Sequence, residues 1–189
     1  GAQKNFALDQ ATSTWVLFVD TDEEITPELA AELRSTLPRI PETVRVGFVK
    51  IVTEFLGRPL THLWGTNPRL LRRGAAAWQH RAVHEQVTRP DGSVVRLGDA
   101  DAILLNEILR HPSHYQTLAA YLKKRERYTL RDAEEMLETS RDRAGKPVGD
   151  PTRSPLATIR FLFERALKQF VRLFFKKRGF LDGWQGWLW

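Results

Sequence analysis

The sequence predicts an α/β fold that carries a helical appendage at its C-terminal end. Strand-like and helix-like segments alternate through the first part of the chain, and the apolar run at residues 15–19 is typical of a strand buried on both faces. Amphipathic patterns from Thr117 to about Arg141 and from about Leu156 to Lys177 predict two long helices in the last part. Alternating elements followed by helices are the order expected of an α/β domain with helices added after it.

The individual elements follow from local signals. Thr26 is a favoured N-cap and Pro27 a favoured first helical residue, so a helix is expected from there to about Leu37, before two prolines. The remaining patterns predict a helix over residues 2–13, strands over 44–55, 67–72 and 103–109, and a hairpin turn at 90–93. Residues 75–87 are ambiguous between a strand and a short helix.

Composition excludes several classes of protein. Apolar residues make up 42% of the chain and charged residues 28%, which is typical of a globular protein and not of a disordered one. The chain has no cysteine, so disulfides and zinc sites built on thiolates are excluded. No uncharged apolar run reaches the roughly 18 residues that a transmembrane helix needs.

Positive charge is concentrated in the tail. Between Arg160 and Arg178 there are seven basic side chains against Glu164 alone, which accounts for the net charge of +6. Apolar residues cover a wide face of the same helical segment, and Trp184, Trp187 and Trp189 follow it. This pattern favours a helix lying in a membrane interface, with packing on the domain or on a second copy as the alternative. Nucleic acid is not expected as a partner, because no nucleic-acid motif accompanies the cations.

The strongest chemical signal is Asp20-Thr21-Asp22-Glu23, directly after the predicted strand at 15–19. A buried strand delivers its carboxyl end to the crevice where open α/β sheets bind ligands. Two carboxylates one residue apart can both reach Mg²⁺ or Mn²⁺, which prefer oxygen ligands and are commonly shared with substrate phosphates. The alternatives are that these acids only cap the following helix, or that they belong to a haloacid-dehalogenase-like phosphatase. The phosphatase is disfavoured by Glu24 and by the absence of an aspartate four residues after Asp99.

The residues at 1–8 and 15–23 together resemble the middle of family 2 glycosyltransferases, above all bacterial lipopolysaccharide core glucosyltransferases. The similarity continues through Val83-His84-Glu85 and the His111 segment to residues 179–183. It implies a GT-A fold that lacks its N-terminal nucleotide-binding half, so the chain is expected to be an internal fragment. It also implies an inverting, metal-dependent transfer from a nucleoside-diphosphate-sugar, with UDP-sugars favoured, to a glycan or lipid-linked acceptor of the cell envelope.

The resemblance also implies roles for single residues. Asp20 and Asp22 would hold the divalent cation, and His111 would complete its ligands. Lys4 and Asn5 match the family's basic-Asn pair near the donor. Glu85 would be the base that takes the acceptor's proton, with His84 as an acceptor contact. For each of these residues a bland alternative stays open: a solvated helix start for Lys4, a surface pair for His84 and Glu85, and a turn histidine for His111.

Trp64 and Arg69 are candidates for acceptor binding. An aromatic face suits the C–H surface of a sugar ring, and a guanidinium can pair with a phosphate. Core packing explains a tryptophan such as Trp64 equally well.

The sequence therefore predicts four regions: a partial GT-A catalytic domain (1–115), an amphipathic helix (116–144), a linker (145–155) and a basic membrane-interface helix with a Trp-rich end (156–189). The expected location is cytoplasmic, peripheral on the inner face of the plasma membrane. The competing class of function is a non-catalytic module that associates with membranes.

Overall fold

The computed structural model describes residues 1–79, 85–112, 117–139 and 155–189. Its helices and strands are, in chain order, α1 (Ala2–Gln10), β1 (Trp15–Leu17), β2 (Glu24–Ile25), α2 (Pro27–Thr36), β3 (Val46–Phe55), β4 (Arg58–Pro59), β5 (Gly65–Arg72), β6 (Ala77–Trp78), β7 (Val87–Thr88), β8 (Ala102–His111), α3 (Leu118–Thr139), α4 (Pro155–Phe170) and α5 (Gly183–Leu188). The mixed α/β class predicted from sequence is confirmed. The chain divides into two compact units, Gly1–Glu54 with Trp64–Ser113, and Phe55–Leu63 with His114–Trp189.

The first unit is built on a mixed sheet with the strand order β1-β5-β3-β8-β2. β3 and β8 are parallel, and the other pairs on this path are antiparallel. It follows that β1, β3 and β8 run in the same direction and end at the same edge of the sheet. The segment from Phe18 to Glu23 must cross that edge, because it joins β1 at one end of the strand order to β2 at the other.

Side chains alternate between two core clusters, as the period of a strand requires. Val46 and Phe48 of β3 pack in one cluster with Leu71, whereas Val49 and Ile51 pack in the other with Leu70. Both faces of the sheet are therefore covered. At Gly47 an added Cβ would lie 2.9 Å from the Cβ of Leu70, so glycine allows the close approach of β3 and β5 there.

The helix α2 begins as predicted. The backbone N–H of Leu29 donates to Thr26 Oγ1 over 3.2 Å, and the same hydroxyl donates to the Ile108 carbonyl over 3.0 Å. Leu29 and Leu33, one turn apart, are buried against the sheet. Thr26 therefore caps the helix and also fixes it to β8.

One prediction for the first unit, the burial of its first strand, needs correction. The strand at 15–19 is expected to be buried on both faces, but β1 covers only Trp15–Leu17, is half-buried and lies at an end of the strand path. The strand buried on both faces is the central strand β3. The predicted hairpin turn at 90–93 forms: Arg89 N–H donates to Ser93 O over 2.9 Å, and Thr88 bridges to Val94 across the turn, in addition to the pairing of β7 with β6.

The second unit has its own core. Phe55, Leu60, Leu63 and Tyr121 are buried together, and Leu173, Leu188 and Trp189 pack against them. The predicted linker lies outside the described residues except for Pro155, which begins α4. Residues Phe55–Leu63 belong to the same compact unit as the C-terminal helices, and the sequence does not predict this.

The predicted basic helix is present as α4, and its continuation from Val171 to Lys176 is π-helical. A short 3₁₀ turn from Gly179 to Asp182 then leads into α5. Gly186 of α5 approaches this turn so closely that an added Cβ would lie 2.0 Å from the Gly179 carbonyl oxygen, so only glycine fits. None of the helices described is long and apolar enough to cross a bilayer.

Candidate active site

The acidic motif forms a turn at the carboxyl end of β1. The backbone N–H of Phe18 donates to the Arg69 carbonyl over 2.8 Å, which extends the pairing of β1 with β5 by one residue. Glu23 N–H then donates to Asp20 O, and Asp20 N–H donates to Glu23 Oε2, both over 3.0 Å. These reciprocal bonds close the turn, which we call the acidic loop (residues 20–23).

Arg69 anchors the acidic loop from beneath. Its Nη2 donates to Asp20 Oδ2 over 2.8 Å and also to Glu23 Oε1. The Arg69 and Glu23 side chains are 6% and 2% exposed, whereas the Asp20 side chain is 46% exposed. The pair between Arg69 and Glu23 is therefore interior, and Asp20 keeps one side open to solvent.

Three basic side chains, Arg69, Lys4 and His111, act on Asp20 of the acidic loop. Burial raises the pKa of Asp20, but the hydrogen bond and charge of Arg69, with the charges of Lys4 and His111, outweigh it and hold this pKa below its ordinary value. Burial lowers the pKa of Lys4, an effect that Asp20 and Glu23 oppose. Lys4 therefore lies within electrostatic reach of the acidic loop, and its predicted contact with the donor stays a prediction.

His111 meets the loop from the end of β8. Its Nε2 lies 3.3 Å from Asp22 Oδ2, and its side chain is 21% exposed. β8 reaches this point because His111 is level with Thr53 in the parallel pairing with β3. The sequence predicts Asp22 and His111 as ligands of one metal ion, and the fold brings these two side chains together.

The donor atoms suit a divalent cation in type. Carboxylate oxygens suit both Mg²⁺ and Mn²⁺, and a neutral imidazole nitrogen can join them as a ligand of a transition metal such as Mn²⁺. The nitrogen of His111 that faces Asp22 is Nε2, whereas Nδ1 is buried with no hydrogen-bond partner among the described residues. No three His, Asp or Glu side chains form a metal-holding group in the part of the chain that the structure describes. The fit is therefore that of a two-residue pair, Asp22 with His111, because Arg69 occupies one oxygen of Asp20.

Glu85 is joined to the predicted donor side. Its Oε2 lies 3.1 Å from Lys4 Nζ, and its side chain is 21% exposed. Lys4 Nζ also lies 4.4 Å from the ring centroid of Trp78, within the range of a cation–π contact. Lys4 thus forms an ion pair with Glu85, the predicted base, and also interacts electrostatically with Asp20 and Glu23 of the acidic loop. His84, the predicted acceptor contact, lies outside the described residues.

Asn5 has a structural role in this arrangement. Its side-chain amide donates to the Trp78 carbonyl and accepts from the Trp78 N–H, each over 2.8 Å. Both polar ends of the amide therefore tie α1 to β6, and contact of Asn5 with a donor stays a prediction. A groove beside Asn5 is lined by residues that include Phe6, Asp9 and Arg73, and none of its lining residues belongs to the acidic loop.

Trp64 and Arg69 lie differently from each other. Trp64 is half-buried at the start of the segment leading into β5, and Lys50 Nζ lies 5.8 Å from its ring centroid. Arg69 is buried and paired with two carboxylates of its own chain, so the contact with an acceptor phosphate predicted for it would require breaking those pairs.

The role of Glu23 is not predicted by the sequence, although this residue stands beside Asp22. A weak signal was Arg69 directly before the apolar pair Leu70 and Leu71, because a cation drawn into a core needs a buried anion as its partner. A further acidic cluster has a structural explanation. Asp99 and Asp101 both accept from Arg89 Nη2 over 2.6 Å and hold the turn before β8.

A scan against models of protein families finds none that matches this chain. The family resemblance therefore stays a prediction from the sequence.

Proposed function

We propose that this chain is part of an inverting, metal-dependent glycosyltransferase with a GT-A fold. The observation that carries the proposal is the pair Asp22–His111, whose side chains come within 3.3 Å of each other from distant parts of the sequence. Lys4 and Asp20 interact electrostatically beside this pair. A metal-dependent site for a sugar donor needs such a mixture, because the metal ion holds the diphosphate and acidic side chains hold the metal ion.

Each residue has a definite task in the proposed reaction. Asp22 and His111, with Asp20 beside them, would hold the divalent cation, which when bound offsets the charge of the departing diphosphate. Lys4 supplies a second positive charge on the donor side. Arg69 and Glu23 fix the acidic loop so that Asp22 faces His111.

The chemistry is a single displacement at the anomeric carbon. The acceptor hydroxyl oxygen forms a bond to that carbon while the bond to the diphosphate oxygen breaks, and the nucleoside diphosphate leaves. The Glu85 carboxylate takes the proton of the acceptor hydroxyl. The acceptor is a glycan or a lipid-linked glycan, and UDP-sugars are the favoured donors.

The test is turnover by the full-length protein. Asp22→Ala should abolish release of UDP from UDP-sugars in the presence of acceptor while leaving the circular dichroism spectrum unchanged. Glu24→Gln is a matched control, because Glu24 adjoins the acidic loop, is 62% exposed and lies 4.0 Å from Arg110. Wild-type turnover in Asp22→Ala would overturn the assignment of the site.

A further inference from the structure

We infer that α4 and the π-helical segment after it present a docking surface for an anionic lipid bilayer. The surface, called here the lipid face, consists of the exposed apolar residues Ile159, Phe163, Leu167, Phe170, Val171 and Phe175. This inference goes beyond the proposed reaction and does not depend on it, because it rests on a different part of the chain.

The lipid face is a single stripe on α4. Ile159, Phe163 and Leu167 follow each other at steps of four residues, so they lie one above another on the helix. Their exposed fractions are 64%, 68% and 51%, values that apolar side chains of a core helix would not keep. An apolar stripe of this length on the surface marks an interaction site.

Cations border the stripe along its whole length. Arg160, Glu164 and Lys168 form a second line, rotated from the first by about 100° because each follows an apolar residue by one position. Arg160 Nε and Lys168 Nζ lie 2.7 and 3.5 Å from the Glu164 carboxylate. One carboxylate thus faces two cations, and the segment from Arg160 to Arg178 contains no other acid.

The π-helical segment holds the far end of the lipid face in place. Lys177 N–H donates to Arg172 O over 2.9 Å, the five-residue spacing of a π-helix. Leu173 turns toward the core of the second unit, while Phe175 stays 58% exposed. Phe174 stacks on Phe170 with ring centroids 5.1 Å apart, so the exposed aromatic surface is continuous.

α5 adds two exposed tryptophans to the apolar surface of the second unit. Trp184 and Trp187 are 59% and 62% exposed, whereas Trp189 packs in the core and stacks on Tyr121 at 5.7 Å. The sequence predicts all three tryptophans at a membrane interface, and Trp189 is therefore a correction. Exposed tryptophans beside lysines and arginines are typical of residues that settle at the headgroup level of a bilayer.

The charges around the lipid face favour an anionic bilayer, and not a second copy of this chain, as its binding partner. A symmetric pairing of two lipid faces would bring the cations of both copies together, and like charges across an interface oppose association. An anionic bilayer instead offers hydrocarbon to the apolar stripe and phosphate to the cations that border it.

The experiment is flotation of the full chain with vesicles, without metal or nucleotide, so its result is independent of the transferase proposal. We expect binding to vesicles of phosphatidylglycerol with phosphatidylethanolamine and weaker binding to phosphatidylcholine alone. Raising salt from about 0.1 M to about 1 M should weaken the first, because the screening length falls from about 10 Å to about 3 Å.

Phe163→Glu should lower the vesicle partition coefficient by about tenfold or more. Phe6→Glu is the matched control, since Phe6 on α1 is also 68% exposed and should be replaceable without effect. Lys176→Glu, which leaves the apolar stripe intact, should weaken binding to anionic vesicles by about tenfold and leave binding to neutral ones unchanged.

Retention of wild-type binding by Phe163→Glu together with Lys176→Glu would overturn the inference. So would equal losses in Phe163→Glu and Phe6→Glu. A wild-type chain that ignores vesicles but elutes as a dimer, which Phe163→Glu converts to a monomer, would assign the lipid face to a second copy.

Discussion

The guanidinium of Arg69 donates to Asp20 Oδ2 over 2.8 Å from a side chain that is only 6% exposed. The same nitrogen binds Glu23, whose side chain is 2% exposed. A buried cation on β5 therefore fixes the conformation of the acidic loop, which carries the candidate metal ligands. Both the stability of the fold and the shape of the candidate site therefore depend on Arg69.

Replacing Arg69 should destabilise the protein strongly. Arg69→Met leaves Glu23 buried without its counter-charge, and breaking a buried pair in this way costs about 3 kcal/mol or more. The free energy of unfolding in urea measures the effect. Arg110→Met is the control, because Arg110 is 54% exposed and its pair with Glu24 spans 4.0 Å.

Adding Glu23→Gln to Arg69→Met should recover part of the lost stability, because the uncompensated charge is then removed. A single Arg69→Met variant as stable as the wild type would contradict the interior pair.

Replacing Glu85 should affect chemistry and spare donor binding. Glu85→Gln in the full-length protein removes the proposed base, and turnover with UDP-sugars should fall by about 100-fold or more. Binding of UDP with Mn²⁺, measured by calorimetry, should stay at the wild-type level. A loss of UDP binding with unchanged turnover at saturation would instead give Glu85 a role in donor binding, through its ion pair with Lys4, and not the role of the base.

The fold was largely readable from local patterns. Thr26 and Pro27 predict the start of α2 because capping is a local property, and the apolar runs predict β3, β5 and β8. Which strands pair with each other could not be predicted from the sequence. Only the strand order shows that β1 lies at an end of the path, and for this reason its residues are half-buried.

Candidate residues of the site could be proposed from the sequence, but the contacts between them could not. Asp22 was proposed from its place after a predicted strand and His111 from the family resemblance, whereas the link between Glu23 and Arg69 depends on the pairing of β1 with β5. Trp189 illustrates the same limit. Three tryptophans of equal local character differ in burial because only Trp189 meets Phe55 and Tyr121.

Acid should weaken the second unit through Asp182, which is 1% exposed. Burial raises the pKa of Asp182, but hydrogen bonds from His62, Thr61 and Leu63 outweigh this and hold it below its ordinary value of 3.8. A carboxyl group whose pKa is lower in the folded state contributes its stability above pH 3.8, and the contribution is lost as pH falls through the lower folded value.

Asp182→Asn should therefore flatten the pH dependence of the unfolding free energy below about pH 4, besides lowering stability at neutral pH. An Asp182→Asn variant with the wild-type acid profile would exclude this carboxylate as the cause.

Trp187 near the C-terminal end of α5 and Trp189 directly after the helix should respond differently to truncation. Trp189→Ala removes a ring that packs against Phe55 and Tyr121, and should lower the free energy of unfolding by about 2 kcal/mol. Trp187→Ala removes a ring that is 62% exposed and should change stability by less than about 0.5 kcal/mol. Equal losses for the two variants in thermal unfolding would contradict the placement of Trp189 in the core.

The proposed metal site is best tested by Mn²⁺ binding to the full-length protein, followed by electron paramagnetic resonance with and without UDP. We expect UDP to tighten Mn²⁺ binding, Asp22→Asn and His111→Ala each to weaken it by about tenfold or more, and Glu24→Gln to leave it unchanged. Mn²⁺ affinity that is insensitive to UDP and equal in wild type, Asp22→Asn and His111→Ala would contradict the proposed metal site.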